Sequence, residues 1–188
     1  MAKTQIVCLH EGKKGRSIDP LFIRVLLKAL KPGWVKPWPG NNVMRTIACG
    51  GRADLIVATP GELKRCLAMG GDTTLMVWAD VDDNVTDCEQ LKGEFWKSAQ
   101  AAGVTQSQFA DVVFVFARDR LENWIEFLRT GSTDETREGP RVKHGREVAD
   151  AARMLAEKCL AGARIPAIPP SLEWSCKNWR ALVERMKR

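Results

Sequence analysis

The segment M-V-W-A-D-V-D-D-N, residues 76–84, changes from apolar to acidic within a few positions. Its first half belongs to the run T-L-M-V-W-A (74–79), which is apolar almost throughout, as in strands of a parallel sheet covered by helices on both faces. Its second half carries Asp80, Asp82 and Asp83. Carboxylates about 4 Å apart repel by about 4 kcal/mol per pair at an intermediate dielectric. The segment therefore predicts a buried strand that ends in a charge cluster in need of a positive partner.

The sequence on both sides of this strand alternates between predicted strands and predicted helices. Residues 4–10 predict a buried first strand, and Asp19-Pro20 predicts a helix start, because Asp caps helices and Pro fits their first turn. Thr59-Pro60-Gly61-Glu62 resembles a capping box and predicts a helix to about Met69, with 53–58 ambiguous between strand and helix. Further strands are predicted at 44–49 and 112–117, and further helices at 86–102, 121–128, 145–160 and 172–187.

This alternation predicts an α/β fold with a mainly parallel sheet flanked by helices. We expect residues 1–130 to form the α/β domain and residues 131–188 to form a helical extension packed on the same domain.

Composition limits the class of protein. The net charge of +6 permits a polyanionic partner. No run approaches the ~20 apolar residues of a membrane helix, and the first residues lack a secretory pattern, so we expect a cytoplasmic protein with no membrane contact. Six cysteines without a C-x-x-C pair, and only two histidines, argue against a zinc site. Reduced, mostly buried thiols are expected.

Two acidic motifs follow predicted strands. Glu11 comes directly after the first strand, and Asp80 and Asp82 follow the strand at 74–79. Ligands of open α/β sheets bind beyond the carboxyl ends of the strands, so these carboxylates converge if the two strands are neighbours. Asp80 and Asp82 are two positions apart and would point the same way in extended backbone. The cluster suits a divalent cation; the alternative is a solvated turn in which Asp83 or Asp87 caps the next helix.

The combination of H-E-G at 10–12 and D-V-D at 80–82 resembles the Toprim domain of topoisomerases, primases and OLD-type nucleases, over roughly residues 4–120. The resemblance implies a Toprim-like fold in which Glu11, Asp80 and Asp82 bind Mg²⁺ (or Mn²⁺). The chain has no tyrosine, which argues against a topoisomerase, and 188 residues are too few for a primase. Among the members of this family, the resemblance therefore implies a metal-dependent nuclease similar to those of the OLD type. In that family Glu122, in R-L-E-N-W, and Lys143, in R-V-K-H-G, correspond to weaker catalytic candidates.

The resemblance also implies partners. The substrate would be DNA or RNA, with Lys13, Lys14 and Arg16 contacting its phosphates. No G-x-x-x-x-G-K-[ST] motif is present, so nucleotide hydrolysis would need a separate ATPase partner. Small proteins of this type resemble effectors of bacterial anti-phage defence, and an oligomer is compatible with the sequence. The alternative is a non-catalytic module that binds nucleic acid or a partner protein on a Toprim-like scaffold.

Overall fold

The computed structural model describes residues 4–13, 18–30, 33–70, 73–82, 87–162 and 164–187, with side chains up to residue 180. Four strands form one all-parallel sheet in the order β2-β1-β3-β4: β1 (Gln5–His10), β2 (Arg45–Ala48), β3 (Thr73–Val81) and β4 (Val113–Arg118). The helices are α1 (Asp19–Leu30), α2 (Arg52–Ala68), α3 (Cys88–Ala101), the short α4 (Gln106–Phe109), α5 (Leu121–Thr130), α6 (Gly145–Ala161) and α7 (Pro170–Lys187). The predicted α/β class with a parallel sheet and flanking helices is confirmed.

The sheet is covered on both faces, which explains why its strands are apolar without alternation. Met76 and Trp78 of β3 point to one face and pack with α1, α5 and α6. Leu75 and Val77 point to the other face and pack with α2 and α3. Among the described residues, no helix is both long and apolar enough to cross a membrane.

The C-terminal helix α7 covers the outer edge of β4. The Ser175 hydroxyl accepts a hydrogen bond from the Phe116 backbone N–H (2.9 Å) and donates one to the Phe116 carbonyl (3.0 Å). The Trp174 ring stacks on the Phe116 ring, with centroids 5.1 Å apart. The helix thereby satisfies backbone groups of an edge strand that would otherwise be free to pair with another chain.

The predicted start of the second helix is wrong. α2 begins at Arg52 and Pro60 lies inside it. Thr59 does not cap the helix, because its hydroxyl donates to the Leu55 carbonyl one turn earlier (2.7 Å). Proline has no N–H for the Ile56 carbonyl, but the Ser98 hydroxyl of α3 donates to that oxygen instead (3.1 Å). A contact from another helix therefore replaces the hydrogen bond that the proline removes.

The other elements agree with the predictions to within a few residues. β3 continues through Val81, so Asp80 lies inside the strand rather than after it. Asp87 caps α3 by accepting a hydrogen bond from the Gln90 N–H (2.8 Å), as one alternative proposed, whereas Asp83 lies outside the described residues. The one-turn helix α4 was not predicted.

Candidate metal site at the carboxyl ends of β1 and β3

Glu11 and Asp80 form the centre of the candidate site. β1 and β3 are adjacent and parallel, so residues that follow β1 meet the last residues of β3 at the same edge of the sheet. The Asp80 backbone N–H donates to Glu11 Oε1 at 2.7 Å. The two carboxyl side chains also share a hydrogen bond with each other. The predicted convergence of these two motifs is therefore present.

This pair holds a proton more tightly than ordinary carboxylates do. Burial raises the pKa of Asp80 well above its usual range, and the nearby charges of Glu11, Asp19 and Glu122 raise it further. Burial also raises the pKa of Glu11, although its hydrogen bonds from Asp80 partly oppose this shift. Both shifts favour the protonated form of a carboxyl group over the charged form. A positive ion placed between the two oxygens would reverse this balance.

Two more carboxylates face the same open cleft, which has a volume of about 330 Å³. Asp19 reaches it because α1 begins at the edge of the sheet where β1 ends. Glu122 reaches it from the first turn of α5, which follows β4. Burial raises the pKa of Glu122, against the lowering effects of its own backbone N–H and of Arg120. Four acidic side chains, from β3, α1, α5 and the loop after β1, thus line one concave surface.

Basic side chains lie on the rim of this cleft. Lys13 and Arg120 are among the lining residues. Arg120 forms an ion pair with Glu138, which is exposed. The cleft therefore combines carboxylates, which could hold a metal ion, with basic side chains that could contact a phosphate group.

Asp82 occupies a different position from Asp80. β3 ends at Val81, so the alternation of the strand does not extend to Asp82. The Asp82 carboxylate forms an ion pair with Arg52 at the start of α2, and it does not line the cleft. Arg52 is close enough to the cleft to lower the pKa of Glu11 slightly, after the larger effects of burial and of the Asp80 hydrogen bonds. The role of Asp82 as a metal ligand stays a prediction.

The remaining predicted site residues are only partly placed. Lys143 is exposed in the segment before α6 and does not line the cleft. The loop that contains Lys143 nevertheless ends near the start of α1, close to the cleft. At the end of this loop, a Cβ added to Gly145 would lie 3.2 Å from Leu21 Cδ2, in the first turn of α1. Lys14 and Arg16 lie outside the described residues.

Sequence reasoning assigned no function to Asp19, Arg52 or Arg120. Asp19 was recognised only as a helix start, although a helix that follows a parallel strand begins at the ligand-binding edge. That rule could have added Asp19 to the site. Nothing local to Arg52 signals its pairing with Asp82, since the helix start itself was misplaced.

The donor chemistry of the cleft fits Mg²⁺ or Mn²⁺. Both ions prefer hard oxygen ligands, and Mg²⁺ commonly binds through one or two carboxylates and keeps its other positions for water and phosphate. Glu11 and Asp80 satisfy that requirement. Within the described ranges, no group of three or more His, Cys, Asp or Glu side chains is placed so that it could hold a metal ion. A site of this kind would be completed by water and substrate.

No protein-family model matches the chain, and no curated protein matches it in sequence. The case for a function therefore rests on the geometry of the cleft and on the two acidic motifs.

Proposed function

We propose that this chain is a Toprim-type nuclease that hydrolyses phosphodiester bonds of DNA or RNA with Mg²⁺ (or Mn²⁺). The observation that carries the proposal is the Glu11–Asp80 pair at the carboxyl ends of two adjacent parallel strands. Two carboxyl groups that share a buried position cost free energy unless a cation or a proton compensates them. A divalent cation bound by the two groups would offset that cost, and a cation site would explain why the two groups lie together.

Each residue has a defined part in this proposal. Glu11 and Asp80 hold the ion, and Asp82 joins them when it leaves Arg52. The ion, when bound, neutralises charge on the phosphate and lowers the pKa of a water molecule. Glu122 orients groups on the opposite wall of the cleft.

The phosphate contacts are assigned to basic residues around the cleft. Lys13 and Arg120 on the rim, and Lys143 in the loop before α6, bind the non-bridging oxygens of the substrate. Lys14 and Arg16 extend the same basic loop along the strand of nucleic acid. The net charge of +6 favours this class of substrate.

The wider setting follows from analogy alone. We propose a cytoplasmic effector of anti-phage defence that works with a separate ATPase, because the chain carries no phosphate-binding loop of its own.

A second candidate function is a non-catalytic module that binds nucleic acid or a partner protein on the same scaffold. The observation in its favour is that the acidic side chains already have protein partners. Asp82 is paired with Arg52, and Glu11 accepts a hydrogen bond from the Asp80 backbone N–H. A site that is satisfied in this way needs no metal to be stable.

A cleavage assay separates the two candidates. Wild type, Glu11→Gln and Asp80→Asn are incubated with plasmid, single-stranded DNA and total tRNA, each with Mg²⁺, Mn²⁺ or a chelator. Glu157→Gln is the matched control, because Glu157 is an exposed carboxylate of α6 that does not line the cleft. Nucleic-acid binding is measured on the same samples by fluorescence anisotropy.

We expect metal-dependent cutting by wild type and Glu157→Gln, and a loss of at least 100-fold in Glu11→Gln and Asp80→Asn. Removing a ligand of a catalytic ion withdraws several kcal/mol of charge stabilisation from the transition state, and each 1.4 kcal/mol is tenfold in rate. Tight binding without cutting in all four proteins would favour the binding module. Cutting that persists in Asp80→Asn would exclude this cleft as the active site.

A further inference from the structure

Two cysteines meet between the C-terminal helices, far along the chain from the acidic cleft. Cys159 lies near the end of α6, and Cys176 lies on α7. Both side chains line the same apolar cavity, together with Leu155 and Trp179. The two thiols lie close enough for each to shift the pKa of the other.

The two thiols differ in exposure and in acidity. Cys159 is exposed and Cys176 is half-buried. The hydrogen bond from Cys176 lowers the pKa of Cys159 to about 7, with a further contribution from Arg180, whereas the pKa of Cys176 is raised. Cys159, the more exposed of the two, therefore ionises more readily than Cys176. This is the division between an attacking and a resolving cysteine.

The other cysteines offer no comparable site. Cys8, Cys66 and Cys88 are buried, and burial raises the pKa of each thiol. Cys49 is half-buried, and its pKa is raised for the same reason. Buried, protonated thiols react slowly with oxidants. All six cysteines are free, as expected of reduced thiols, but Cys159 is exposed rather than buried.

We propose that Cys159 and Cys176 form a reversible redox pair that joins α6 to α7 through a disulfide when the protein meets a peroxide. The Cys159 thiolate attacks one peroxide oxygen, the O–O bond breaks, and a sulfenic acid and one water are formed when the oxidant is hydrogen peroxide. The Cys176 thiol then attacks the sulfenic sulfur, forms the S–S bond and releases a second water. Two thiols and one H₂O₂ give one disulfide and two H₂O, and a dithiol reductant restores the starting state.

Because of the position of the pair, a disulfide would affect the contact between α7 and the sheet. α7 covers the edge strand β4 through Ser175, one residue before Cys176. The bond would close a loop of about 17 residues and hold α7 in place on the sheet. Because α7 already packs on β4 while the thiols are free, oxidation would add stability to an existing contact. This inference is independent of the proposed nuclease activity.

The test uses the whole chain, reduced, desalted and then treated with hydrogen peroxide at up to tenfold molar excess. Free thiols are counted, intact mass is measured, and peptides are mapped without reduction. The variants are Cys159→Ser, Cys176→Ser and, as matched control, Cys49→Ser, which changes a half-buried cysteine elsewhere. Thermal melting of the untreated variants checks that each one folds.

We expect wild type and Cys49→Ser to lose two thiols and about 2 Da, to yield a peptide linking 159 to 176, and to recover on reduction with dithiothreitol. The oxidised forms should melt roughly 6–12 °C higher than the reduced forms. Cys176→Ser should accumulate a sulfenic acid at Cys159 that reacts with dimedone, and Cys159→Ser should form neither product.

Three results would overturn the proposal. One is a wild type that keeps all its thiols under conditions that oxidise glutathione. Another is a disulfide that involves a different cysteine or joins two chains. The third is equal dimedone labelling of Cys159 and Cys49, which would mean that the contact between the helices gives Cys159 no special reactivity.

Discussion

Asp80→Asn should stabilise the metal-free protein and remove its response to metal. In the wild type, Asp80 and Glu11 occupy one buried position, and the Asp80 N–H lies 2.7 Å from Glu11 Oε1. Two charges about 4 Å apart repel by about 4 kcal/mol at an intermediate dielectric, and because the cleft is open to water we take half, about 2 kcal/mol. An asparagine at this position carries no charge and can still donate to Glu11. For a chain of this size the change corresponds to a melting temperature about 4–8 °C higher at pH 8.

The effect should depend on pH in one direction. Burial raises the pKa of Asp80 in the folded protein, so the folded state keeps a proton that the unfolded chain loses above its ordinary pKa of about 4. The stability that Asp80 contributes is present below about pH 4 and is lost as the pH rises through the raised folded-state pKa. Wild type and Asp80→Asn should therefore melt together near pH 4 and separate as the pH increases.

Metal should reverse the order of the two proteins. A ligand at 100 times its dissociation constant stabilises the folded state by about 2.7 kcal/mol, or roughly 5–11 °C here. Wild type should gain this shift with Mg²⁺ or Mn²⁺, and Asp80→Asn should gain little. Differential scanning fluorimetry, run between pH 4 and pH 8 with chelator or 10 mM metal, measures all of these quantities.

Asp82→Asn is the control for this experiment. Its ion pair with Arg52 is about half exposed on the aspartate side, so its loss should cost less than about 1 kcal/mol without metal. The reasoning is refuted if Asp80→Asn lowers the melting temperature at pH 8 without metal. It is equally refuted if metal shifts wild type and Asp80→Asn by the same amount.

Two further predictions concern the fold. Ser98→Ala removes the hydroxyl that donates to the Ile56 carbonyl, which Pro60 cannot reach with an N–H. In urea titrations, the free energy of unfolding should fall by about 1–3 kcal/mol. A change under about 0.5 kcal/mol would mean that water replaces the hydroxyl. Gly139→Ala should cost more than about 2 kcal/mol, because a Cβ there would lie 2.8 Å from the Asn123 backbone nitrogen. The control is Gly61→Ala, because α2 has open space there for a methyl group. This change should raise the free energy of unfolding by about 0.5–1 kcal/mol in the same titration. Equal effects at the two glycines would contradict the packing around Gly139.

Local sequence patterns predicted most of the secondary structure. Apolar runs predicted β1, β3 and β4, since a strand buried on both faces needs apolar residues at most positions. Asp19-Pro20 predicted the start of α1, because capping depends on a few consecutive residues. The α/β class then followed from the alternation of the elements.

Prediction failed where distant contacts set the outcome. Pro60 is a helix-start signal in sequence, but Ser98 on another helix lets α2 continue through it. The ion pair between Asp82 and Arg52 also joins residues 30 positions apart, and no local pattern indicated it.

The sequence by itself determined the order and type of the elements, and it predicted that Glu11 and Asp80 lie near each other, because these depend on neighbours along the chain and on the direction of parallel strands. Only the tertiary structure decided that Asp19 and Glu122 line the same cleft and that Cys159 meets Cys176. Both results require residues far apart in sequence to be brought together by packing against the sheet. That packing depends on the shape of the whole core, which no local pattern records.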